Sequence, residues 1–169
     1  MLVPGRPVPK LAVPLAAGGS FELSEEKPEH FTLVVFYRGL HCPICQEILS
    51  DLESRIETFS KMGVGAIAIS ADAEAEASRS REEWKIEKLR IGYGLDEKTA
   101  RAWGLFVSSA ALPQEPERFF EPALFLVRPD GTLYGSSVNS MPFARASLAD
   151  LETALPVIIQ TQHPPRGVA

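Results

Sequence analysis

The sequence has 169 residues, a formal charge of −5 and 45% hydrophobic residues, which predicts one globular domain spanning residues 1–169. Basic residues are dispersed, and nowhere do about 18 apolar residues run together, so composition argues against binding to nucleic acid or to a membrane. The first residues carry no basic and apolar leader, and we therefore expect a soluble protein of the cytoplasm.

The first part of the chain is predicted to be extended. Prolines at four positions disfavour a helix over residues 1–15, and Gly18 and Gly19 then turn the chain into a short strand at 21–23. Residues 1–20 thus form an extended lead-in that enters a hairpin. The next segment, 31–37, is almost wholly apolar, as expected for the central strand of a parallel sheet that is buried on both faces.

Residues 38–45 (Arg-Gly-Leu-His-Cys-Pro-Ile-Cys) connect this strand to a helix and contain both cysteines. Because Cys42 precedes Pro43, we expect Cys42 to be the extended N-cap and Pro43 the first helical residue. At that position, on the surface, free amides and the helix dipole lower the pKa of the Cys42 thiol. Cys45 lies on the same side of the helix, within reach of a disulfide. We therefore predict a redox-active pair, in which Cys42 attacks and Cys45 resolves.

Two other interpretations of the cysteines are weaker. A structural disulfide would close a very small ring and constrain little of the unfolded chain, and such bonds are unusual in the cytoplasm. A metal site needs further ligands, but His30, His41 and His163 are scattered singly. We therefore predict neither a metal nor a cofactor.

The rest of the chain alternates helices and strands. Apolar residues at steps of three and four predict a helix from Pro43 to Lys61, which Gly63 ends. The predicted elements that follow are a buried strand at 64–70, a helix from its N-cap Asp72 to about Lys88, a strand at 91–95 and a helix at 97–103 with Asp96 as its cap. The last are a loop at 108–118, a hairpin of strands 123–127 and 132–138, a helix from its N-cap Ser147, and a loose tail at 163–169. This order makes a mixed sheet flanked by helices, an α/β fold.

Three stretches resemble the thioredoxin-fold superfamily, and most closely its peroxiredoxin-like branch, the alkyl hydroperoxide reductase and thiol-specific antioxidant family. They are residues 34–45, residues 69–72 (Ile-Ser-Ala-Asp), and residues 122–127 with the Asp-Gly pair at 130–131. The resemblance covers roughly residues 5–160. It implies a thioredoxin fold with the N-terminal β extension of peroxiredoxins.

The resemblance also implies roles for individual residues. Cys42 takes the nucleophile position and Cys45 the resolving position. Pro122 matches the proline that is cis in thioredoxins and lies against the cysteine pair, so we expect the Glu121–Pro122 bond to be cis.

Departures from the family pattern concern peroxide chemistry. Peroxiredoxins carry a hydroxyl residue and a proline before the reactive cysteine and an arginine on a later strand, whereas this chain has Gly39, Val35 and Pro122 there. Arg38 is either a source of positive charge or an exposed strand-end residue. His41 either assists proton transfer or is solvated. Because dedicated donors are missing, we expect oxidation by peroxide to be slower than in peroxiredoxins.

The sequence thus predicts a thiol–disulfide oxidoreductase with an antioxidant role. The alternative is a hydroperoxide reductase in which Cys42 is peroxidatic and Cys45 resolves its sulfenic acid. A third hypothesis is a non-enzymatic protein that senses redox state or carries a metal. The expected partners are a disulfide or hydroperoxide substrate and a thioredoxin or glutathione system as reductant. A homodimer is compatible with the sequence.

Overall fold

The computed structural model describes residues 1–169 and contains nine strands and four α-helices. The strands are β1 (Ala12–Pro14), β2 (Ser20–Glu22), β3 (Phe31–Phe36), β4 (Val64–Ile69), β5 (Arg90–Gly92), β6 (Val107–Ser109), β7 (Arg118–Phe120), β8 (Ala123–Val127) and β9 (Leu133–Val138). The helices are α1 (Pro43–Lys61), α2 (Glu74–Glu83), α3 (Glu97–Ala102) and α4 (Leu148–Gln160). No helix has both the length and the apolar character that crossing a lipid bilayer requires.

Strand β3 is the centre of a five-stranded sheet with the order β5-β4-β3-β8-β9. It runs parallel to β4 and antiparallel to β8, and all six of its residues are buried. The predicted mixed sheet with flanking helices is confirmed. Two small hairpins, β1 with β2 and β6 with β7, lie outside this sheet.

The two faces of β3 support two hydrophobic clusters. Leu33 and Val35 point into the cluster that α1 and α4 cover, while Val34 and Phe36 point into the one that contains Trp103 of the turn after α3. Because successive side chains of a strand alternate between faces, an apolar run in β3 can fill both clusters. Strand β3 is thereby packed on both faces, and it leads the chain to the start of α1.

Most of the predicted helix boundaries are confirmed. Helix α1 has Cys42 as its N-cap and Pro43 as its first residue, and it ends at Lys61. The Asp96 carboxylate caps α3 by accepting the Thr99 N–H at 2.8 Å, and the Ser147 hydroxyl caps α4. These ends depend on contacts within a few residues, which a local pattern can predict.

Helix α2 is shorter than predicted, and the predicted N-cap was wrong. It begins at Glu74 after Ala73 and ends at Glu83, whereas the sequence suggested a helix from Asp72 to about Lys88. The Glu53 carboxylate of α1 accepts the backbone N–H groups of Glu87, Lys88 and Leu89. Those amides therefore have a tertiary partner and gain nothing from continuing the helix.

Two further boundaries differ from the prediction. The segment 108–118 was predicted to be a loop throughout, but its ends belong to β6 and β7. Strand β5 ends at Gly92 rather than at residue 95, because Gly94 has a φ of +67° and turns the chain. The first departure arises because β6 and β7 are three-residue strands that pair with each other, and the second because a glycine turns the chain.

Candidate active site

The cysteine pair lies at the start of α1, beyond the carboxyl end of β3. Cys42 has extended backbone angles (φ −105°, ψ 104°), and the Cys45 N–H donates to the Cys42 carbonyl at 3.0 Å. Both thiols are free. The strand, the turn and the proline-initiated helix therefore bring the two sulfurs into one helical turn, as predicted.

Both cysteines are more enclosed than the sequence suggested. We expected Cys42 at the surface, but it is only 1% exposed and Cys45 is 0% exposed. The segment that precedes α4 places the side chain of Arg145 against both sulfurs. The N-cap position predicted from the sequence is correct, whereas the predicted exposure of Cys42 is wrong.

Arg145 is a site residue that the sequence analysis missed. Its Nη2 lies 3.3 Å from Sγ of Cys45 and 3.7 Å from Sγ of Cys42, while its Nε donates to the Pro142 carbonyl at 2.7 Å. The Asn139 side chain supports this segment by donating to the Ala144 carbonyl at 2.9 Å. No motif surrounds Arg145 in the sequence, and it is 103 residues away from Cys42. Only the path of the chain brings the two together.

Arg38 is held by two carboxylates and an aromatic ring and is not an exposed strand-end residue. Its side chain is 13% exposed, and its Nη2 lies 2.7 Å from Oε1 of Glu115. Its Nε lies 3.4 Å from Oε2 of Glu121, and its guanidinium is 4.5 Å from the ring centre of Phe119. The loop between β6 and β7, which carries Glu115, thus borders the site. Two carboxylates and an aromatic ring fix the direction in which Arg38 points.

His41 is packed into the protein rather than solvated. Its ring meets that of Phe119 edge to face, with 4.9 Å between centroids, and its Nε2 is buried without a hydrogen-bond partner. Burial and the positive charge of Arg38 lower the pKa of His41. The imidazole is therefore neutral at pH 7 and adds no positive charge to the site.

The predicted cis bond before Pro122 is wrong, because the protein contains no cis peptide. The Glu121 N–H donates to the Phe106 carbonyl, and the Pro122 carbonyl accepts the Asn139 N–H, each at 2.9 Å. The chain thus passes directly from its pairing with the β6 side into its pairing with the β9 side. Pro122 itself lines a narrow cleft beside Arg145.

The surroundings make the two sulfurs unequal. The neighbouring thiol of Cys45 has the largest effect on Cys42 and outweighs the opposing effect of burial. The backbone of Cys45 and the two arginines, Arg38 and Arg145, favour the thiolate further, and together they lower the pKa of Cys42 to about 5. Burial raises the pKa of Cys45, and the nearby Cys42 raises it further. The site therefore holds one thiolate and one thiol at neutral pH.

The lowered pKa of Cys42 predicts a dependence of stability on pH. Between its folded value of about 5 and its ordinary value of 9.0, the unfolded chain binds a proton at Cys42 that the folded protein does not. The free energy of unfolding should therefore rise with pH in this window and lose this contribution as the pH falls towards 5. Denaturant unfolding of reduced protein, measured at several pH values, should show that Cys42→Ser flattens this rise. Equal slopes in the two proteins would contradict the assignment.

No group of three or more histidine, cysteine, aspartate or glutamate side chains is arranged to hold a metal ion. What the site does contain is a thiolate at a helix N-terminus with two guanidinium groups beside it. Such an arrangement stabilises an anionic nucleophile, and it also stabilises negative charge that develops on a leaving group.

Comparison with known proteins shows the family and the fold. A model of the AhpC/TSA family matches residues 4–136. No curated protein matches the chain significantly.

Among solved structures, AhpC of Mycobacterium tuberculosis superimposes with a TM-score of 0.77 at 14% identity, covering 96% of both chains. The peroxidoxin BcpB of the same organism superimposes with a TM-score of 0.73 at 14% identity, and the match covers 95% of this chain and 98% of BcpB. A mutant of peroxiredoxin 6 from Arenicola marina superimposes with a TM-score of 0.79 at 15% identity, and the match covers 96% of this chain and 76% of the other. At such identities these likenesses show the fold, which is the one that the sequence predicted.

Proposed function

The chain belongs to the AhpC/TSA family of antioxidant thiol oxidoreductases, and from that premise we propose that it reduces hydroperoxides. In this proposal Cys42 is the peroxidatic residue and Cys45 is the resolving residue. The observation that carries the proposal is Arg145, whose Nη2 lies 3.7 Å from the Cys42 sulfur, with Arg38 as a second guanidinium that lowers the pKa of Cys42.

These arginines bear on the choice between disulfide reduction, which the sequence favoured, and peroxide reduction, which was its alternative. The sequence argued against fast peroxide cleavage because Gly39 and Pro122 stand where peroxiredoxins have a hydroxyl and an arginine. That argument assumed that no other residue could supply the donors. Arg145 arrives from the segment before α4 and donates towards both sulfurs. A guanidinium offers several donors in a fixed plane, so it suits an oxygen on which charge develops.

The first chemical step forms a bond from sulfur to oxygen. The Cys42 thiolate attacks one oxygen of the peroxide, the O–O bond breaks, and Cys42 becomes a sulfenic acid. The other oxygen leaves as hydroxide or alkoxide and takes a proton from solvent to become water or an alcohol. Arg38 and Arg145 stabilise the negative charge that passes to the leaving oxygen.

The second step forms the disulfide within one helical turn. The Cys45 sulfur attacks the Cys42 sulfur, the S–O bond breaks, and hydroxide leaves with the Cys45 proton as water. Since Cys45 is buried as a thiol, its proton is available for this departure. An external dithiol then returns two electrons and two protons. We propose a thioredoxin or glutathione system as that reductant, in the cytoplasm, with a homodimer as a compatible assembly.

Disulfide reduction remains the second candidate, because a Cys-Pro-Ile-Cys pair at a helix start suits exchange with an external disulfide. Two observations make it less favourable. Cys42 is 1% exposed beneath Arg145, so a peptide disulfide would first have to displace that side chain. The bond before Pro122 is trans, so the argument for a substrate groove that rested on a cis proline no longer applies. Hydrogen peroxide, with two heavy atoms, needs far less space.

The two reactions are distinguished by kinetics on the same reduced protein. We expect hydrogen peroxide to oxidise Cys42 in stopped-flow experiments at about 10⁵ M⁻¹s⁻¹ or faster, within the usual range of competent enzymes. Reduction of a model protein disulfide, measured alongside, should be slower. A peroxide rate no higher than that of a free thiolate, together with rapid reduction of the disulfide, would reverse the assignment.

A further inference from the structure

Asp72 lies between the end of β4 and the turn that leads to the cysteines. Its Oδ2 accepts the Leu40 N–H at 2.9 Å, and its own N–H donates to the Ser70 hydroxyl at 3.2 Å. Its carbonyl accepts the Gly94 N–H at 2.8 Å. The backbone of Asp72 is thus tied to Ser70 at the end of β4 and to Gly94 after β5, while its carboxylate reaches across to the turn at 39–42.

The carboxylate of Asp72 also occupies the space beside Gly39. A Cβ added to Gly39 would lie 2.3 Å from Oδ1 of Asp72, which is closer than any real contact, and Gly39 has a φ of +124°. Only glycine combines this backbone conformation with that close approach. Gly39, which stands where the family has a hydroxyl residue, is therefore required by the turn itself, because the Asp72 carboxylate leaves no space for a side chain there.

This turn determines where the reactive groups lie. The Cys42 N–H donates to the Gly39 carbonyl at 3.2 Å, which closes the turn directly before the helix. Arg38 precedes the turn and Cys42 ends it, so a change in the turn changes the position of the guanidinium relative to the sulfur. Of the side chains, only that of Asp72 accepts a hydrogen bond from the N–H groups at 39–42.

We propose that Asp72 is a positioning residue of the active site, whose carboxylate fixes the turn at 39–42 and so sets Cys42 against Arg38. The carboxylate acts through the Leu40 N–H and does not itself contact the substrate. The proposal deepens the proposed function, because it assigns a role to Asp72 in the peroxide reaction of Cys42. The resemblance placed Asp72 in a supporting motif without a role.

Ionisation gives this role a measurable feature. Burial raises the pKa of Asp72 to about 6 against the opposing hydrogen bonds from Leu40 and Ser70, and Glu76 of α2 raises it slightly. The other titratable group that faces it is Tyr37, which is buried and neutral at pH 7. A carboxylate binds the Leu40 N–H more strongly than the neutral acid does. The turn is therefore held most firmly above pH 6.

The experiment compares Asp72→Ala and Asp72→Asn with the wild type. Alanine removes the acceptor, whereas asparagine keeps an acceptor oxygen and cannot ionise. The readouts are the midpoint of the Cys42 thiolate titration, followed by ultraviolet absorbance, and the rate of oxidation by hydrogen peroxide from pH 5 to pH 8. Asp51→Asn is the matched control, because Asp51 pairs with Arg55 within α1 and accepts no hydrogen bond from the turn at 39–42.

Asp72→Ala should raise the titration midpoint of Cys42 and slow peroxide oxidation about tenfold, while Asp72→Asn should restore most of the rate. The wild-type rate should also rise through a second ionisation near pH 6, which Asp72→Asn lacks. If Asp72→Ala does not fold, the pH profile of Asp72→Asn alone tests the proposal. The proposal would be overturned if Asp72→Ala kept the wild-type titration midpoint of Cys42 and the wild-type rate of peroxide oxidation. It would also be overturned if the rate in Asp72→Asn depended on pH as it does in the wild type. Should Cys42 prove unreactive with peroxide, the titration would still report on Asp72 and only the proposed function would fail.

Discussion

Cys42→Ser should abolish the consumption of peroxide, with a loss of at least about a thousandfold, because a serine hydroxyl is not ionised at neutral pH and is a far weaker nucleophile. Cys45→Ser should behave differently. Its Cys42 should still be oxidised once, but it should then accumulate as sulfenic acid or as mixed disulfides with added thiols, since the resolving sulfur is gone. Mass spectrometry after a single addition of peroxide distinguishes the two variants.

The asymmetry between the cysteines is what this comparison tests. Cys42 has a lowered pKa and Cys45 a raised one, so an alkylating reagent at neutral pH should modify Cys42 first. Equal rates of alkylation at the two positions, or mixed disulfides that form on Cys45, would contradict the assignment of attacking and resolving roles. Wild-type protein that has been oxidised and then reduced again should show the same alkylation rates as untreated protein, which controls for loss of folding during the treatment.

Arg145→Met should slow the oxidation of Cys42 by hydrogen peroxide about a hundredfold, which corresponds to about 3 kcal/mol of transition-state stabilisation. Methionine keeps much of the volume of the side chain but removes the charge and the donors that face both sulfurs. The pKa of Cys42 should rise as well, because Arg145 is one of the groups that lower it. Stopped-flow oxidation and a thiolate titration measure the two effects separately.

Two further variants make the Arg145 experiment specific. Arg166→Met removes an arginine from the exposed C-terminal tail and should leave the rate unchanged. Arg145→Lys keeps the charge without the planar group, so it should restore the thiolate pKa better than it restores the rate. An unchanged peroxide rate in Arg145→Met would show that Arg145 covers the sulfurs without assisting the reaction, and would leave Arg38 as the only cation that acts on Cys42.

Local patterns were sufficient for the framework of the site. The apolar run of β3 predicted a strand that is buried on both faces, and the proline after Cys42 predicted the N-cap and the first turn of α1. Caps such as Asp96 and Ser147 were predicted for the same reason. For the caps, donor and acceptor lie three residues apart, and for β3 the apolar run itself shows that both faces must be covered, so the sequence alone specifies these features.

Patterns failed where a residue had a choice of partners. Aspartate is a common N-cap residue, and Asp72 stands just before α2. Its carboxylate instead accepts the N–H of Leu40, which lies 32 residues earlier in the chain. The amides of residues 87–89 lie within the helix that the sequence predicted, but they donate to the Glu53 carboxylate of α1. In both cases a tertiary partner satisfies the polar group, and the local preference is too weak to compete.

By itself, the sequence determined the strand that delivers Cys42, the helix that begins behind it and the spacing that makes a disulfide possible. Only the tertiary structure decided what surrounds the sulfurs: it buries Cys42, directs Arg38 with two carboxylates, and brings Arg145 from 103 residues away. The physical reason is the range of the interactions. Helix caps and strand alternation act between near neighbours, whereas the electrostatic environment of a buried thiolate depends on side chains that only packing brings together.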